Sequence, residues 1–145
     1  MPSSSPPRAE LAPGLSVAGK LDRDDIDALA AAGVRTIVNN RPDDEDPGQL
    51  PAAEARRLAE THGIAYHHIP VTAASLSRAD VDAFAAVLGS APQPVVAHCR
   101  SGTRSALLWA LARMREGADP FALVAEAARH GIDIAALPAI AARLR

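Results

Sequence analysis

The chain has 145 residues, 48% of them apolar but only 3% aromatic, and a formal net charge of −2. That is enough apolar material for the core of one domain of ordinary size, built mainly from Ala, Leu, Val and Ile. The charge excludes a basic nucleic-acid footprint, no stretch approaches the ~18 apolar residues of a membrane span, and one cysteine excludes an internal disulfide or a multi-cysteine metal site.

Residues 1–13 (MPSSSPPRAELAP) are rich in Pro and Ser and read as a disordered tail without the apolar core of a secretory signal. A lone thiol without an export signal suggests a reducing, cytoplasmic compartment. The folded domain is expected over residues 14–145. Leu15–Ala18 reads as a short edge strand. Asp22 caps a helix that buries Ile26, Leu29 and Ala30 and stops at Gly33. Val34–Val38 is β-branched and reads as a strand. Asn39–Leu50 (NNRPDDEDPGQL) is a polar loop, and Pro51 opens a second helix that ends at Gly63. Ile64–Ile69 is the next strand, closed by Pro70. Ser77, with Asp80 three residues on, has the spacing of a capping box, and the helix behind it buries Val81, Phe84, Ala85 and Leu88. Pro94–His98 reads as a buried strand, Cys99–Thr103 as a tight loop and Arg104–Glu116 as a helix ended by Gly117. Helices over 120–130 and 134–144 complete the chain. This alternation predicts a three-layer α/β fold, with helices on both faces of a mostly parallel sheet.

The chemistry concentrates in VVAHCRSGTRSALLWAL. A buried strand delivers the chain to the carboxyl edge of the sheet, where α/β proteins place ligands. Loop amides and a helix N-terminus then point positive dipoles at one spot. Gly102 lets the backbone curl around a small anion, and Arg100 and Arg104 add guanidinium charge, Arg104 in a position to clamp an oxyanion through two bonds. These features together favour a thiolate at Cys99, the nucleophile of covalent catalysis. Ser101 and Thr103 are expected to orient the loop, with either of them in reach of a bond to the thiolate. Ser105 is read either as a hydrogen-bond donor to the thiolate or as a simple cap. Strand alternation turns the His98 side chain away from that of Cys99, which suits a supporting bond to nearby backbone. His67 and His68 read as packed or solvent-facing, and Trp109 as core. No His, Cys and carboxylate spacing resembles a zinc site, and no cofactor is implied.

HCRSGTR resembles the active-site loop shared by rhodanese sulfurtransferases and cysteine-dependent phosphatases. Four residues, Arg100 to Thr103, separate Cys99 from Arg104, as in rhodaneses; the phosphatase loop has five. VNNRPDDEDPGQ, HHIPV and HCRSGTRSALLWAL together resemble the beta-lactamase-hydrolase-like family, over about residues 14–137. The resemblance implies a phosphatase-like fold, an activity described as sulfurtransferase or phosphatase-like, and relatives fused to persulfide dioxygenases. A phosphatase needs a general acid, and Pro70–Leu76 contains no carboxylate. The short loop and the missing acid together favour sulfane-sulfur transfer. A small anionic sulfur donor would load a Cys99 persulfide, and a thiol acceptor would discharge it, with a separate persulfide dioxygenase as a partner. Phosphatase-type hydrolysis and non-catalytic anion binding are the alternatives. An acid from Asp43, Asp44, Glu45 or Asp46 would restore the phosphatase reading. Asp44 and Asp46 read as a solvated turn, while Arg41 and Asp43 stand between a site role and a structural ion pair.

Overall fold

The computed structural model describes residues 5–145. Its strands are β1 (Arg8–Ala12), β2 (Leu15–Ala18), β3 (Thr36–Asn39), β4 (Ala65–His68) and β5 (Val95–His98). Its helices are α1 (Arg23–Ala31), α2 (Ala52–Thr61), α3 (Arg78–Ser90), α4 (Thr103–Arg115), α5 (Pro120–Arg129) and α6 (Leu137–Arg143). The strands form one sheet in the order β1-β2-β5-β3-β4. Neighbours from β2 to β4 run parallel, and β1 pairs antiparallel with β2.

Two expectations about the N-terminal region need correction. Residues 8–12, assigned to the tail, form β1, and Leu15–Ala18 lies between β1 and β5 instead of at the edge. In β1 only Leu11 is buried. The strand is held by the backbone ladder to β2, and a ladder of that kind leaves little trace in hydrophobic pattern. The tail reading of residues 1–4 lies outside the described residues.

The other elements follow local rules. Asp22–Asp25 and Ser77–Asp80 both form the reciprocal side-chain-to-amide bonds of a capping box. Pro51 lies just outside α2, at its N-cap, and α6 starts at Leu137, three residues later than the expected segment. Strand alternation splits the core across the sheet. Ile37 and Val96 join α1 and α2 on one face. Val38, Val95 and Ala97 join Phe84 of α3, Leu108 of α4, Leu123 of α5 and Leu137 of α6 on the other.

This division positions the site. The chain moves one way across the sheet from β2 to β3 to β4, with α1 and α2 on one face. It then reverses to β5, and right-handed crossovers put α3 on the opposite face. β3 and β5 are neighbours, yet the helices that follow them, α2 and α4, pack on opposite faces. Their outgoing loops therefore part at the carboxyl edge and leave a crevice between them. Among the described residues no helix is long and apolar enough to cross a membrane.

Candidate active site

The loop after β5 is closed by backbone geometry. Cys99 is buried at the end of β5, and its amide bonds the Ala18 carbonyl of β2 at 3.3 Å. Gly102 has φ +92° and is the N-cap of α4, a left-handed conformation that a side chain would strain. That turn aims the Gly102 N–H at Cys99 Sγ, 3.1 Å away. Next to the ring, Gly19 permits a close approach: a Cβ there would lie 3.1 Å from the Arg100 carbonyl oxygen. That carbonyl accepts the Lys20 amide at 3.2 Å.

Arg104 leaves the first turn of α4 with three of its five N–H groups engaged. Nη1 donates to Glu45 Oε2 at 2.7 Å and to the Val71 carbonyl at 2.8 Å, and Nη2 donates to Glu45 Oε1 at 2.9 Å. The Nε–H and the second Nη2–H remain, and they form the lateral fork that matches an oxyanion. The guanidinium lies beside the Cys99 sulfur, and its pKa is raised, first by the Glu45 bond and further by that sulfur.

Glu45 belongs to the other wall, the loop after β3. Its Oε1 also accepts Arg41 Nε at 2.9 Å, so one carboxylate spans two arginines. The Arg104 bond, followed by the Arg41 bond, outweighs desolvation and holds its carboxyl below the usual glutamate range. Arg41 is buried and also binds Asp46, which lies 3.3 Å from Arg100. His68 Nε2 donates to the Arg41 carbonyl at 2.9 Å, and the Arg41 amide donates to Asn39 Oδ1 at 2.8 Å. The two walls are tied at their base, where the Asn40 amide donates to the His98 carbonyl at 2.8 Å.

The expected loop residues lie together between β5 and the first turn of α4. Ser101 Oγ and Thr103 Oγ1 bond at 3.2 Å on the exposed rim, and Arg100 is largely solvent-facing. Ser105 takes neither expected role. It is buried and donates to Asn40 Oδ1 at 2.8 Å, so it braces one wall on the other. Asp43 Oδ1 accepts the Ala52 amide at 2.9 Å at the start of α2, a helix cap in place of the expected ion pair. Arg41 is at the site as a support. Asp46, read as a solvated turn, is ion-paired, whereas Asp44 is the turn residue, with φ +64°.

His98 is buried, and its ring lies against the Cys99 backbone. Burial lowers its pKa to about 4, so it is neutral at pH 7, and its Nδ1 has no partner among the described residues. Glu45 and Asn40 are the residues the sequence reading underweighted. The signals available were the Arg41–Glu45 spacing of four and the position of both residues just past a strand next to the one that carries Cys99. Among the described residues no three His, Cys, Asp or Glu side chains gather as a metal cluster.

Residues 8–116 match the family model of the phosphatase-like domain of beta-lactamase hydrolase-like proteins. The beta-lactamase hydrolase-like protein of Xylella fastidiosa is 35% identical over 103 residues, 71% of this chain and 24% of its own length. That of Agrobacterium fabrum is 34% identical over 123 residues, 84% and 28% respectively. The chain thus spans about a quarter of the length of the curated relatives it matches. A candidate phosphatase of Neisseria meningitidis, known from a crystal structure, superposes with TM-score 0.82 and 33% identity, over 90% of this chain and 94% of that one. The fold alone extends to the core catalytic domain of the PP-IP phosphatase SIW14 of S. cerevisiae, at TM-score 0.68 and 16% identity over 97% and 95% of the two chains. It extends also to TpbA of P. aeruginosa bound to pTyr, at TM-score 0.68 and 20% identity over 94% and 81%. The chain belongs to the beta-lactamase hydrolase-like phosphatase-like domain family, and its fold is that of cysteine phosphatases.

Proposed function

From membership of that family as the premise, we propose that the domain is a cysteine-dependent phosphohydrolase acting through a phosphorylated Cys99. This reverses the order of the two enzymatic readings drawn from loop length. The observation that carries the proposal is the pairing of the Gly102 N–H on Cys99 Sγ, at 3.1 Å, with an Arg104 fork left open by the Glu45 clamp. The amide stabilises an ionised sulfur, and the fork donates to two equatorial oxygens of a phosphoryl group. Cys99 attacks phosphorus, the leaving group departs, and water then hydrolyses the phosphocysteine. The family match and the candidate phosphatase of Neisseria meningitidis support this reading.

Sulfane-sulfur transfer is the second reading. The four-residue spacing between Cys99 and Arg104 favours it. Exposing the protein to 4-nitrophenyl phosphate and, separately, to thiosulfate distinguishes the two. The phosphatase reading expects release of nitrophenol, competition by vanadate and a phosphoryl adduct on Cys99. A gain of one sulfur on Cys99 with no phosphate turnover would replace it with the transferase.

A further inference from the structure

Every carboxylate that reaches the crevice is already committed to a partner. Glu45 accepts from Arg104 and Arg41, Asp46 pairs with Arg41 and Arg100, and Asp43 caps α2. A neighbouring cavity of about 340 Å³ is lined by Lys20, Asp22, Asp25, Arg41 and Asp46. Asp22 at the N-cap of α1 and Asp25 in its first turn each accept the other's amide at 2.9 Å in the capping box. The segment after β4 has no carboxylate over 70–76 and presents the Val71 carbonyl to Arg104.

A general acid must hold its proton at working pH and pass it to the leaving atom. Glu45 does the reverse. It is held ionised between two guanidinium groups, and it bonds the end of Arg104 that an oxyanion does not need. On the phosphatase reading above, we propose that the site works without a general acid. Glu45 is a positioning residue that squares Arg104 to the phosphoryl group. The substrates are phosphate compounds whose leaving group departs as a stable anion: aryl phosphates and phosphoanhydrides, with alkyl phosphates excluded.

The chemistry balances without an added proton donor. The Cys99 thiolate forms an S–P bond as the P–O bond to the leaving group breaks, and the bonding pair leaves with that oxygen. Water then attacks phosphorus, the S–P bond breaks with its pair returning to sulfur, and both water protons remain on the released dihydrogen phosphate.

The test is a leaving-group series, from 4-nitrophenyl through phenyl to a simple alkyl phosphate, run on the wild-type protein and on Glu45→Gln and Glu45→Asp. A general acid contributes roughly 10²–10⁴-fold, most for the poorest leaving groups. Wild-type kcat/KM should therefore fall by about 10²-fold or more between 4-nitrophenyl and phenyl phosphate, and the alkyl phosphate should not turn over. Glu45→Gln should lower kcat/KM and vanadate affinity about tenfold at every leaving group, the size of one charge-assisted bond. It should leave the slope unchanged, and Glu45→Asp should restore part of the loss. A flat wild-type series, or a slope that steepens in Glu45→Gln together with loss of the alkaline limb of the pH profile, would identify a working acid and overturn the proposal. No turnover anywhere in the series and no phosphorylated Cys99 would overturn the phosphatase reading, and this proposal with it.

Discussion

The two walls of the crevice are built in different ways. The Cys99–Gly102 wall is local: four consecutive positions, with a left-handed glycine at a helix N-terminus, aim the Gly102 amide at one sulfur. The Asn39–Leu50 wall is made of side chains, and its central contact joins residues 59 positions apart, Glu45 and Arg104. The first wall holds its shape through backbone torsions. The second depends on charge, so it responds to pH and to single substitutions in ways the first does not.

The largest effect should come from the local wall. Cys99→Ser should abolish hydrolysis of 4-nitrophenyl phosphate while the circular dichroism spectrum and the unfolding transition stay close to wild type. Retained turnover in that variant would end any distinction between the walls. Second in size is a pH effect on stability from His98. Its folded pKa of about 4 lies below its ordinary 6.5, because burial disfavours the charged ring. The contribution is therefore complete above pH 6.5 and is lost as pH falls toward 4. The total is about 3 kcal/mol, readable as the drop in urea midpoint across that window. The Glu45 pairs contribute with the same sign, but their loss starts lower, as pH falls below the ordinary glutamate value of 4.5. A biphasic acid limb would thus separate the enclosed histidine of β5 from the charged wall in one titration.

Third, Arg104→Ala should reduce kcat/KM by roughly 10–100-fold, in keeping with about 1.5–3 kcal/mol for a charge-assisted bond. Arg104→Lys should recover little, because an ammonium lacks the fork. Asp43→Ala comes next. Losing the α2 cap should cost about 1 kcal/mol of stability in denaturant melts and leave kcat within twofold, which separates structure from chemistry inside the second wall. The smallest effect belongs to Arg100→Ala. An exposed pair such as Arg100–Asp46 contributes about 0–1 kcal/mol, so KM should rise only a few-fold, and less at high salt.

The same contrast explains what could be read in advance. The cysteine loop, with Cys99, Gly102 and Arg104, and the parallel α/β frame were legible because each is encoded within a dozen neighbouring residues, by period, by capping spacing or by motif. Asp46 was assigned to a solvated turn because a run of Asp and Glu among Pro and Gly has that composition. Only the adjacency of β3 and β5, a property of strand order, brings Arg100 to it and Arg104 to its neighbour Glu45. Ser105 shows the same limit: its hydroxyl bonds Asn40, 65 positions away. β1 was missed for another reason. A strand with one buried side chain is held by its ladder, and a ladder has no composition.

The divergence of α2 and α4 to opposite faces also has a consequence for how such a domain can be altered. An insertion in the 42–50 connection would lengthen one lip of the crevice while the turn into α4 keeps its register against the sheet, since loops tolerate added residues far better than the elements they join. Selectivity for the departing half of a substrate could thus be exchanged as a cassette, with the sulfur and its glycine hinge left in place.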